Sequence, residues 1–415
     1  MTGRKQESSR EPPGNVVTAF LCAGTKILLL HRSSRVGIHR HLWAGVSGRL
    51  EQGDRTPLDR ARIEIQEETG IEDPRLLSAG APVDLVVGSG KHVRVHPFLF
   101  EIEDPEAVRL DWEHDDARWI DPEELGNFET VPLLVDTLDR VLPVPELPGW
   151  VRLTLARLRG DRDGGAREVT RRALGMVARA AESGAETSTV LRLLDEVAIL
   201  RPAMAPLGNA ARDLRAEIEA LRDRALPRTV ASLASAARTS LDVGLGRLVA
   251  RGSERIAGAR VVVVTSWSST VVACLTSGSY RGEVRVLESR PPGEGGRTAR
   301  ALERAGIRSE LYPDSAAGHA VRGADLVVLG ADALLSGGSI VNKTGSLPLS
   351  LSAREHGVEV IVVADALKKM RDGIPESLLE ERVQAEPLGE GPTPRAIPLF
   401  EIVPAHLVSE ILTDE

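Results

Sequence analysis

The stretch GRLEQGDRTPLDRARIEIQEETGI, from Gly48 to Ile71, sets three glutamates three and four residues apart after a glycine-containing turn. Residues at positions i, i+3 and i+4 share one face of a helix, so Glu64, Glu67 and Glu68 project from the same side. Three carboxylates on one face repel one another, and a cation would hold them together. Because oxygen-only ligation suits a hard divalent ion, the pattern predicts Mg²⁺, or alternatively Mn²⁺, on these side chains.

Both ends of this helix are visible in the sequence. Thr56 is a preferred N-cap residue, and Pro57 fits the first helical position. Asp59 stands three residues after the cap, where a negative charge suits the helix N-terminus. Gly70 predicts the C-terminal end of the helix.

Together with the strand-like HLWAGVSG before it (residues 41–48), this stretch resembles the Nudix box, the metal-binding loop-helix-loop of Nudix hydrolases. The positions that match the box are Gly48, Glu64, Ile65, Glu67, Glu68, Gly70 and Ile71. The resemblance implies an α+β Nudix fold and Mg²⁺-dependent hydrolysis of a nucleoside diphosphate linked to another group. It also implies that Glu64, Glu67 and Glu68 are metal ligands and catalytic residues, with Glu67 or Glu68 as base or ligand.

The stretch departs from the box at two positions. The family's first acidic position is Asp54 here, and the spacing from it onward is one residue longer. Ile63 stands where the family has an arginine that orients a catalytic carboxylate. Arg60 and Arg62 are close in sequence, and the sequence alone leaves open whether either replaces it.

Several cationic residues precede the box. Arg32, Arg35, His39 and Arg40 are placed to meet substrate phosphates, and we predict this role for Arg32 and Arg40. The same residues are equally compatible with an exposed basic turn.

Length and composition limit the possible architectures and functions. A chain of 415 residues is too long for one core, and its 42% hydrophobic and 27% charged residues are typical of globular proteins. A net charge of −8 and only 3% aromatic residues give no reason to expect direct nucleic-acid binding. We also expect a cytoplasmic location without membrane association, because the polar start lacks a signal-peptide core and no apolar run is long enough to span a bilayer. Cys22 and Cys274 lie in apolar surroundings and are predicted to be buried, inert thiols.

The chain shows three predicted segments. Residues 1–145 mix short strand-like runs around the glutamate helix, and LPVPELPG (142–149) is typical of a stiff linker. Residues 150–258 carry apolar side chains at helical spacing and are predicted to form a helical subdomain. Residues 259–415 alternate Val/Leu/Ile runs with helices, which indicates an α/β Rossmann-like domain with a parallel sheet.

A second resemblance covers roughly 250 residues, from the helical segment to the end of the chain. The matching strings are RPAMAPLGNAAR, TSWSST, ESRPPGEGGRTARAL, DSAAGHAV, GADALLSGGSIVNKTGS and PLFEIVPAHLVSEILTDE. In order and spacing they are similar to the initiation factor 2B alpha/beta/delta family. That family includes the isomerases acting on methylthioribose 1-phosphate and ribose 1,5-bisphosphate. The resemblance implies a phosphorylated small-molecule ligand and a homo-oligomer formed through the C-terminal domain.

The loops after the predicted strands carry the candidate ligand-binding residues. SWSST offers hydroxyls and backbone amides at a helix start, which favours phosphate. Arg290 and Arg297 flank a glycine-rich turn and are predicted to clamp a phosphate, with Asp332, Asn342 and Lys343 lining the same cleft. A solvated surface pair of arginines and a turn-forming aspartate are the alternatives.

The sequence argues against isomerisation by this half. The family's isomerases pair a cysteine in the first loop with the aspartate of the GAD string. Here the aspartate is Asp332, but Trp267 stands at the cysteine position, and an indole does not exchange a proton at neutral pH.

Three hypotheses follow from these patterns. The first is a Nudix hydrolase whose C-terminal half senses a sugar phosphate or nucleotide. The second is a non-catalytic regulatory protein of the initiation factor 2B type. The third, and least favoured, is an isomerase that recruits a different acid.

Overall fold

A computed structural model describes residues 14–87, 91–142, 144–161, 165–202, 204–222, 226–278, 280–291, 293–371, 373, 379–380, 382–383 and 396–415. The chain divides into two compact units, Met1–Arg162 and Asp163–Glu415. In the described part of the chain, no helix is both long enough and apolar enough to cross a bilayer.

The first unit is built on one mixed eight-stranded sheet. Its elements are β1 (Gly14–Ala23), β2 (Lys26–Arg32), β3 (Trp43–Ala44), β4 (Val46–Arg49), α1 (Pro57–Thr69), β5 (Arg75–Ala79), β6 (Val83–Val87), β7 (Lys91–Glu101), β8 (His114–Ile120), α2 (Leu134–Val141) and α3 (Gly149–Gly160). The strand order is β3-β2-β1-β7-β5, with β4 on β1, β6 on β7 and β8 on β2. β1 and β7 run parallel, and the other described pairs are antiparallel.

Strand alternation gives this sheet two apolar faces. Val17, Ala19 and Leu21 of β1 pack with Ala61 and Ile65 of α1. The intervening side chains of β1, at positions 20 and 22, belong to a second core that includes residues of α2 and α3. Successive side chains of a strand point to opposite faces, so this one strand separates the two cores. The predicted α+β architecture is confirmed.

Helix α1 begins and ends at the predicted residues. The Asp59 N–H donates to Thr56 Oγ1 at 3.1 Å, and Pro57 occupies the first turn. Gly70 ends the helix with a φ of 71°, a left-handed conformation that glycine adopts without a steric cost.

Helix α3 belongs to the first unit. Its Leu153 and Ala156 are buried in the core on the α2 face of the sheet. The sequence boundaries place the start of the helical segment at residue 150, whereas the compact units divide after Arg162. The two boundaries differ because helical periodicity predicts a helix here but does not identify the core that its apolar side covers.

The second unit begins with four helices. They are α4 (Ala166–Glu182), α5 (Thr187–Ile199), α6 (Ala205–Ala220) and α7 (Pro227–Ile256). α4 packs against the other three, and α5 also packs on α6.

An α/β layer follows these helices. Its elements are β9 (Val261–Thr265), α8 (Ser269–Thr276), β10 (Glu283–Leu287), α9 (Gly295–Arg304), β11 (Ser309–Tyr312), α10 (Ala317–Val321), β12 (Leu326–Leu329), β13 (Ala333–Leu334), β14 (Ile340–Lys343), α11 (Ser346–Glu355), β15 (Glu359–Val363), β16 (Arg382–Val383), β17 (Ile397–Pro398), β18 (Phe400–Val403) and β19 (Glu410–Leu412). β13, β14 and β18 form a small antiparallel sheet, and β16 pairs with β17.

The main sheet of the second unit is parallel, with the order β11-β10-β9-β12-β15-β19. The predicted parallel sheet is therefore confirmed. Numbered along the chain, this order is 3-2-1-4-5-6, which reverses direction between β9 and β12. Ligands of such doubly wound sheets bind beyond the carboxyl ends of the strands at that reversal.

Candidate functional sites

Helix α1 directs two of the three glutamates inward. Glu64 is 8% exposed and Glu68 is 3% exposed, whereas the Glu67 side chain is 58% exposed. Carboxylates are seldom buried unless they are paired or bind a metal.

Gly48 on β4 provides the space for the Glu64 carboxylate. A Cβ atom added to Gly48 would lie 1.4 Å from Glu64 Oε1. A side chain at position 48 would displace the Glu64 carboxylate, so glycine is the residue that leaves the carboxylate in this place.

Each buried glutamate is anchored through one oxygen. Glu64 Oε1 accepts hydrogen bonds from Arg60 Nε at 2.8 Å and from Arg60 Nη2 at 2.5 Å. Glu68 Oε1 accepts one from the Ser47 N–H at 3.1 Å. Glu68 Oε2 is buried and has no hydrogen-bond partner among the described residues.

A histidine faces the unpartnered oxygen of Glu68. His114 Nε2 lies 3.6 Å from Glu68 Oε2, and His114 Nδ1 lies 3.1 Å from Asp111 Oδ1. Sequence reasoning missed His114. The only signal in the sequence was that this histidine closely follows two acidic residues, Asp111 and Glu113, at the start of β8. The pairing of β8 with β2 brings it beside α1, and local sequence does not encode that long-range contact.

Burial dominates the electrostatics of this cluster. It raises the pKa of Glu68 well above its usual range, while the Ser47 N–H opposes the shift and the charges of Glu64 and Glu113 add to it. Burial also raises the pKa of Glu64, against the effect of Arg60. A pKa raised in this way means that the buried carboxylates have less positive charge around them than their ionised forms require.

These features fit a divalent cation. The unpartnered Glu68 Oε2, the Gly48 cradle and the all-oxygen donor set all suit Mg²⁺, which Glu64, Glu67 and Glu68 would hold. Among the described residues, no three His, Cys, Asp or Glu side chains are already grouped as they would be around an ion. Arg60 contacts two of these glutamates, since its Nη2 lies 2.5 Å from Glu64 Oε1 and 3.3 Å from Glu67 Oε2.

The two predicted phosphate-binding arginines of the first unit differ. Arg32 Nε is buried and has no hydrogen-bond partner among the described residues. Arg40 is exposed, and its Nε donates to the Val36 carbonyl at 2.7 Å. Near the site, Arg35 lies over the ring of Trp112, 5.2 Å from its centroid, and Trp112 is 52% exposed.

The second candidate site lies where the main sheet of the second unit reverses. Ser266 and Trp267 follow β9, and Gly330 follows β12. A Cβ atom added to Gly330 would lie 2.7 Å from Ser268 Oγ, so the two strand-end loops are in close approach. Ser268 also caps helix α8, where its hydroxyl accepts from the Val271 N–H.

Two of the predicted cationic residues, Arg297 and Lys343, lie at this crevice. The Arg297 guanidinium lies 4.0 Å from the Trp267 ring centroid. Lys343 Nζ lies 3.7 Å from Glu294 Oε2, which also accepts a hydrogen bond from Ser266 Oγ at 2.7 Å. Glu294 of the glycine-rich turn therefore offsets part of the positive charge, which sequence reasoning did not anticipate.

The other predicted residues make mainly local contacts. The Arg290 side chain is 54% exposed, and its Nε donates to Glu288 Oε2 at 3.2 Å. Asn342 is buried and donates to Ser346 Oγ at 2.9 Å. The Asp332 N–H donates to the Val341 carbonyl at 2.8 Å.

A lysine outside the predicted set is electrostatically coupled to Asp332. Lys368 Nζ donates to the Ala331 carbonyl at 2.5 Å. Burial lowers the pKa of Lys368, and the negative charges of Asp332 and Asp365 oppose that shift. Sequence reasoning missed this residue because it lies 37 residues after Ala331, with the strands β13, β14 and β15 between them along the chain.

Comparison with protein families agrees with both halves. The Initiation factor 2 subunit family model matches residues 165–415, and the NUDIX domain model matches residues 12–141. The chain belongs to the initiation factor 2 subunit family and carries an N-terminal NUDIX domain.

Similar proteins match between about half and two thirds of the chain. A ribose 1,5-bisphosphate isomerase of Haloferax volcanii is 29% identical over 246 residues, which cover 55% of this chain and 74% of that protein. A probable bifunctional methylthioribose-1-phosphate isomerase/methylthioribulose-1-phosphate dehydratase of Nocardia farcinica is 31% identical over 53% of this chain and 44% of its own length. The crystal structure of the Pyrococcus horikoshii OT3 translation initiation factor eIF-2B superposes with a TM-score of 0.56 and 26% identity, covering 65% of this chain and 96% of that one.

Proposed function

We propose that the first unit is a Mg²⁺-dependent Nudix hydrolase of a nucleoside diphosphate-linked substrate. The observation that carries this proposal is the buried Oε2 of Glu68, which has no hydrogen-bond partner among the described residues, beside a Glu64 carboxylate that fills the space next to Gly48. Two buried carboxylates with raised pKa values reduce stability unless a bound cation offsets their cost.

In the proposed hydrolysis, the glutamates and the arginines of the first unit have different roles. A bound Mg²⁺ would neutralise pyrophosphate oxygens and lower the pKa of a bound water. Glu67 or Glu68 acts as base or ligand beside Glu64. Arg32 and Arg40 bind the substrate phosphates, and Arg32 has a buried Nε that lacks a partner among the described residues.

An exposed aromatic ring supports a nucleoside-containing substrate. Trp112 precedes Glu113, whose charge acts on both buried glutamates. Ser33 Oγ donates to the Trp112 carbonyl at 3.1 Å, which fixes the loop, and Arg35 lies against the ring. A nucleobase stacked on the free face of this indole would gain about 1–3 kcal/mol.

In the second unit we assign binding of a sugar phosphate or nucleotide to the crevice between β9 and β12. Arg297 and Lys343 supply positive charge there, and the α8 N-terminus supplies backbone N–H groups. Arg290, Asp332 and Asn342 complete the set predicted from sequence. A cytoplasmic location stays a prediction.

We further assign homo-oligomerisation to the second unit. Leu311 on the edge strand β11 is 50% exposed, and Val243 on α7 is 53% exposed. An edge strand with an exposed leucine offers both backbone groups and apolar surface to another copy.

A non-catalytic regulatory protein is the second candidate function. Two observations favour it: Ile63 stands where the Nudix box has an arginine, and Trp267 occupies the position that the resemblance gives to the cysteine of the isomerases. Isomerisation by a different acid is the third candidate, for which Lys368 beside Asp332 is the available titratable group.

A hydrolysis screen on the full chain with Mg²⁺ tests the main proposal. The panel holds nucleoside triphosphates, ADP-ribose, NADH, dinucleoside polyphosphates and 5-phosphoribosyl pyrophosphate. Glu68→Gln removes the buried charge, and Glu72→Gln is the control at an exposed position just past the helix. We expect turnover that Glu68→Gln abolishes and Glu72→Gln retains. Absence of any cleavage above the Glu68→Gln background would favour the regulatory function.

A further inference from the structure

Helix α1 lacks the arginine that would directly precede Glu64, since Ile63 occupies that position. We propose that Arg60, one helical turn earlier, is the positioning residue that fixes the Glu64 carboxylate for metal binding. This inference rests on the proposed hydrolase function and assigns its missing arginine to a different position of the same helix.

The contact geometry supports this role. Arg60 and Glu64 are four residues apart on α1, a separation that brings side chains together on one helix face. Both Arg60 nitrogens donate to the same oxygen, Oε1. Glu64 Oε2 accepts no hydrogen bond from any residue that the structure describes, so the anchor leaves one oxygen available. Glu68 is arranged in a similar way: Ser47 holds its Oε1, and its Oε2 has no hydrogen-bond partner among the described residues and lies 3.6 Å from His114 Nε2.

The burial of the pair makes the contact more than a surface ion pair. The side chains of Arg60 and Glu64 are 12% and 10% exposed. Water therefore screens their attraction little, and the guanidinium is held in place by two hydrogen bonds. Gly48 encloses the same carboxylate from the side of β4.

Arg62, the other nearby arginine, has different contacts. Its Nη1 donates to the Pro74 carbonyl at 3.2 Å, and its guanidinium lies 5.5 Å from the Phe100 ring centroid. Arg62 is therefore a matched control, because Arg62→Ala removes the same charge from the same helix. Ile63 is 38% exposed, so an arginine has room at that position.

The test is Mn²⁺ affinity of the full chain, measured by electron paramagnetic resonance, together with kcat and KM for the substrate found in the screen. The variants are Arg60→Ala, Arg62→Ala and the double variant Arg60→Ala/Ile63→Arg. Thermal melting of each variant confirms that it is folded. Loss of a residue that orients a metal ligand weakens metal affinity or activity about 10- to 100-fold.

We expect Arg60→Ala to weaken Mn²⁺ binding by that factor and to lower kcat more than it changes KM. Arg62→Ala should match the wild type, and Ile63→Arg should restore most of what Arg60→Ala lost. Tighter Mn²⁺ binding by Arg60→Ala would overturn the inference, because Arg60 would then compete with the metal. Absence of Mn²⁺ binding by the wild type would also overturn it. Wild-type Mn²⁺ binding that Arg60→Ala weakens, without hydrolysis of any substrate, would support the inference while the proposed hydrolase function failed.

Discussion

The Arg297 guanidinium lies over the Trp267 ring at 4.0 Å from its centroid, at the carboxyl edge of the parallel sheet. By its resemblance to the family's isomerases, the chain has this indole where a proton-transfer group is expected, and the indole also contacts a cation. With tryptophan at this position, the crevice has the positive charge that binds a phosphate but lacks the cysteine that isomerisation would pair with the aspartate.

Substitutions in this stacked pair should affect ligand binding unequally. Arg297→Ala removes a charged hydrogen-bond donor, so we expect binding of ribose 1,5-bisphosphate to weaken by about 1.5–3 kcal/mol. Trp267→Ala removes only the cation–π support, worth about 0.5–2 kcal/mol. Isothermal titration calorimetry measures both, and Arg300→Ala on the same helix is the control. Equal affinities of the Arg297→Ala and Arg300→Ala proteins would refute the assignment of Arg297.

The wild-type protein should not isomerise ribose 1,5-bisphosphate. An indole at the cysteine position neither donates nor accepts a proton at neutral pH. Formation of a ketose bisphosphate, followed by NMR, is the measurement. Turnover that disappears in Asp332→Asn and in Lys368→Met would instead establish the isomerase and identify Lys368 as the recruited acid.

A methyl group at position 48 should disable the first unit. The Cβ atom of Gly48→Ala would meet Glu64 Oε1 at 1.4 Å, so the carboxylate must move. Displacement of a catalytic group by about 1 Å can lower kcat about 100-fold. We also expect destabilisation of about 1–3 kcal/mol from overpacking.

Gly53→Ala is the matched control for this substitution, because nothing lies within 4 Å of a Cβ atom added at that position. Hydrolysis kinetics and thermal melting of the two variants are compared. Normal kcat in Gly48→Ala would mean that Glu64 has no role at its present position.

Both cysteines should be unreactive in the folded protein. Burial raises the pKa of Cys22 to about 12 and that of Cys274 to about 11, so both are protonated at pH 8. Ellman's reagent should therefore label them only after unfolding. The folded pKa values lie above the ordinary value of 9.0, so the stability that these thiols contribute is full below about pH 9 and is lost as the pH rises through 11 to 12. Rapid labelling of the native protein at pH 8 would contradict this prediction.

The sequence predicted the local features of the fold well. Thr56, Pro57 and Gly70 define the ends of α1 because capping depends on neighbours a few residues away. The parallel sheet was predictable because buried strands are continuous Val and Leu runs. The helical spacing of apolar residues did not reveal that α3 packs in the first unit. Such spacing identifies the buried face of a helix but not the core that this face covers.

The same division between local and long-range information applies to the sites. Glu64 and Glu68 were predicted from their spacing on one helix. His114 and Lys368 reach the sites through strand pairing and loop approach over long sequence separations, which no local pattern encodes. The contact from Arg60 to Glu64 is local, but Arg60 and Arg62 are equivalent candidates until the direction of each side chain is known.

The most direct test of the central claim is the Mg²⁺-dependent hydrolysis rate of three full-length proteins: wild type, Glu68→Gln and Asp332→Asn. If hydrolysis belongs to the carboxylates of the first unit, it is lost in Glu68→Gln and retained in Asp332→Asn. Hydrolysis that persists at the wild-type rate in Glu68→Gln would contradict the assignment of the active site to helix α1.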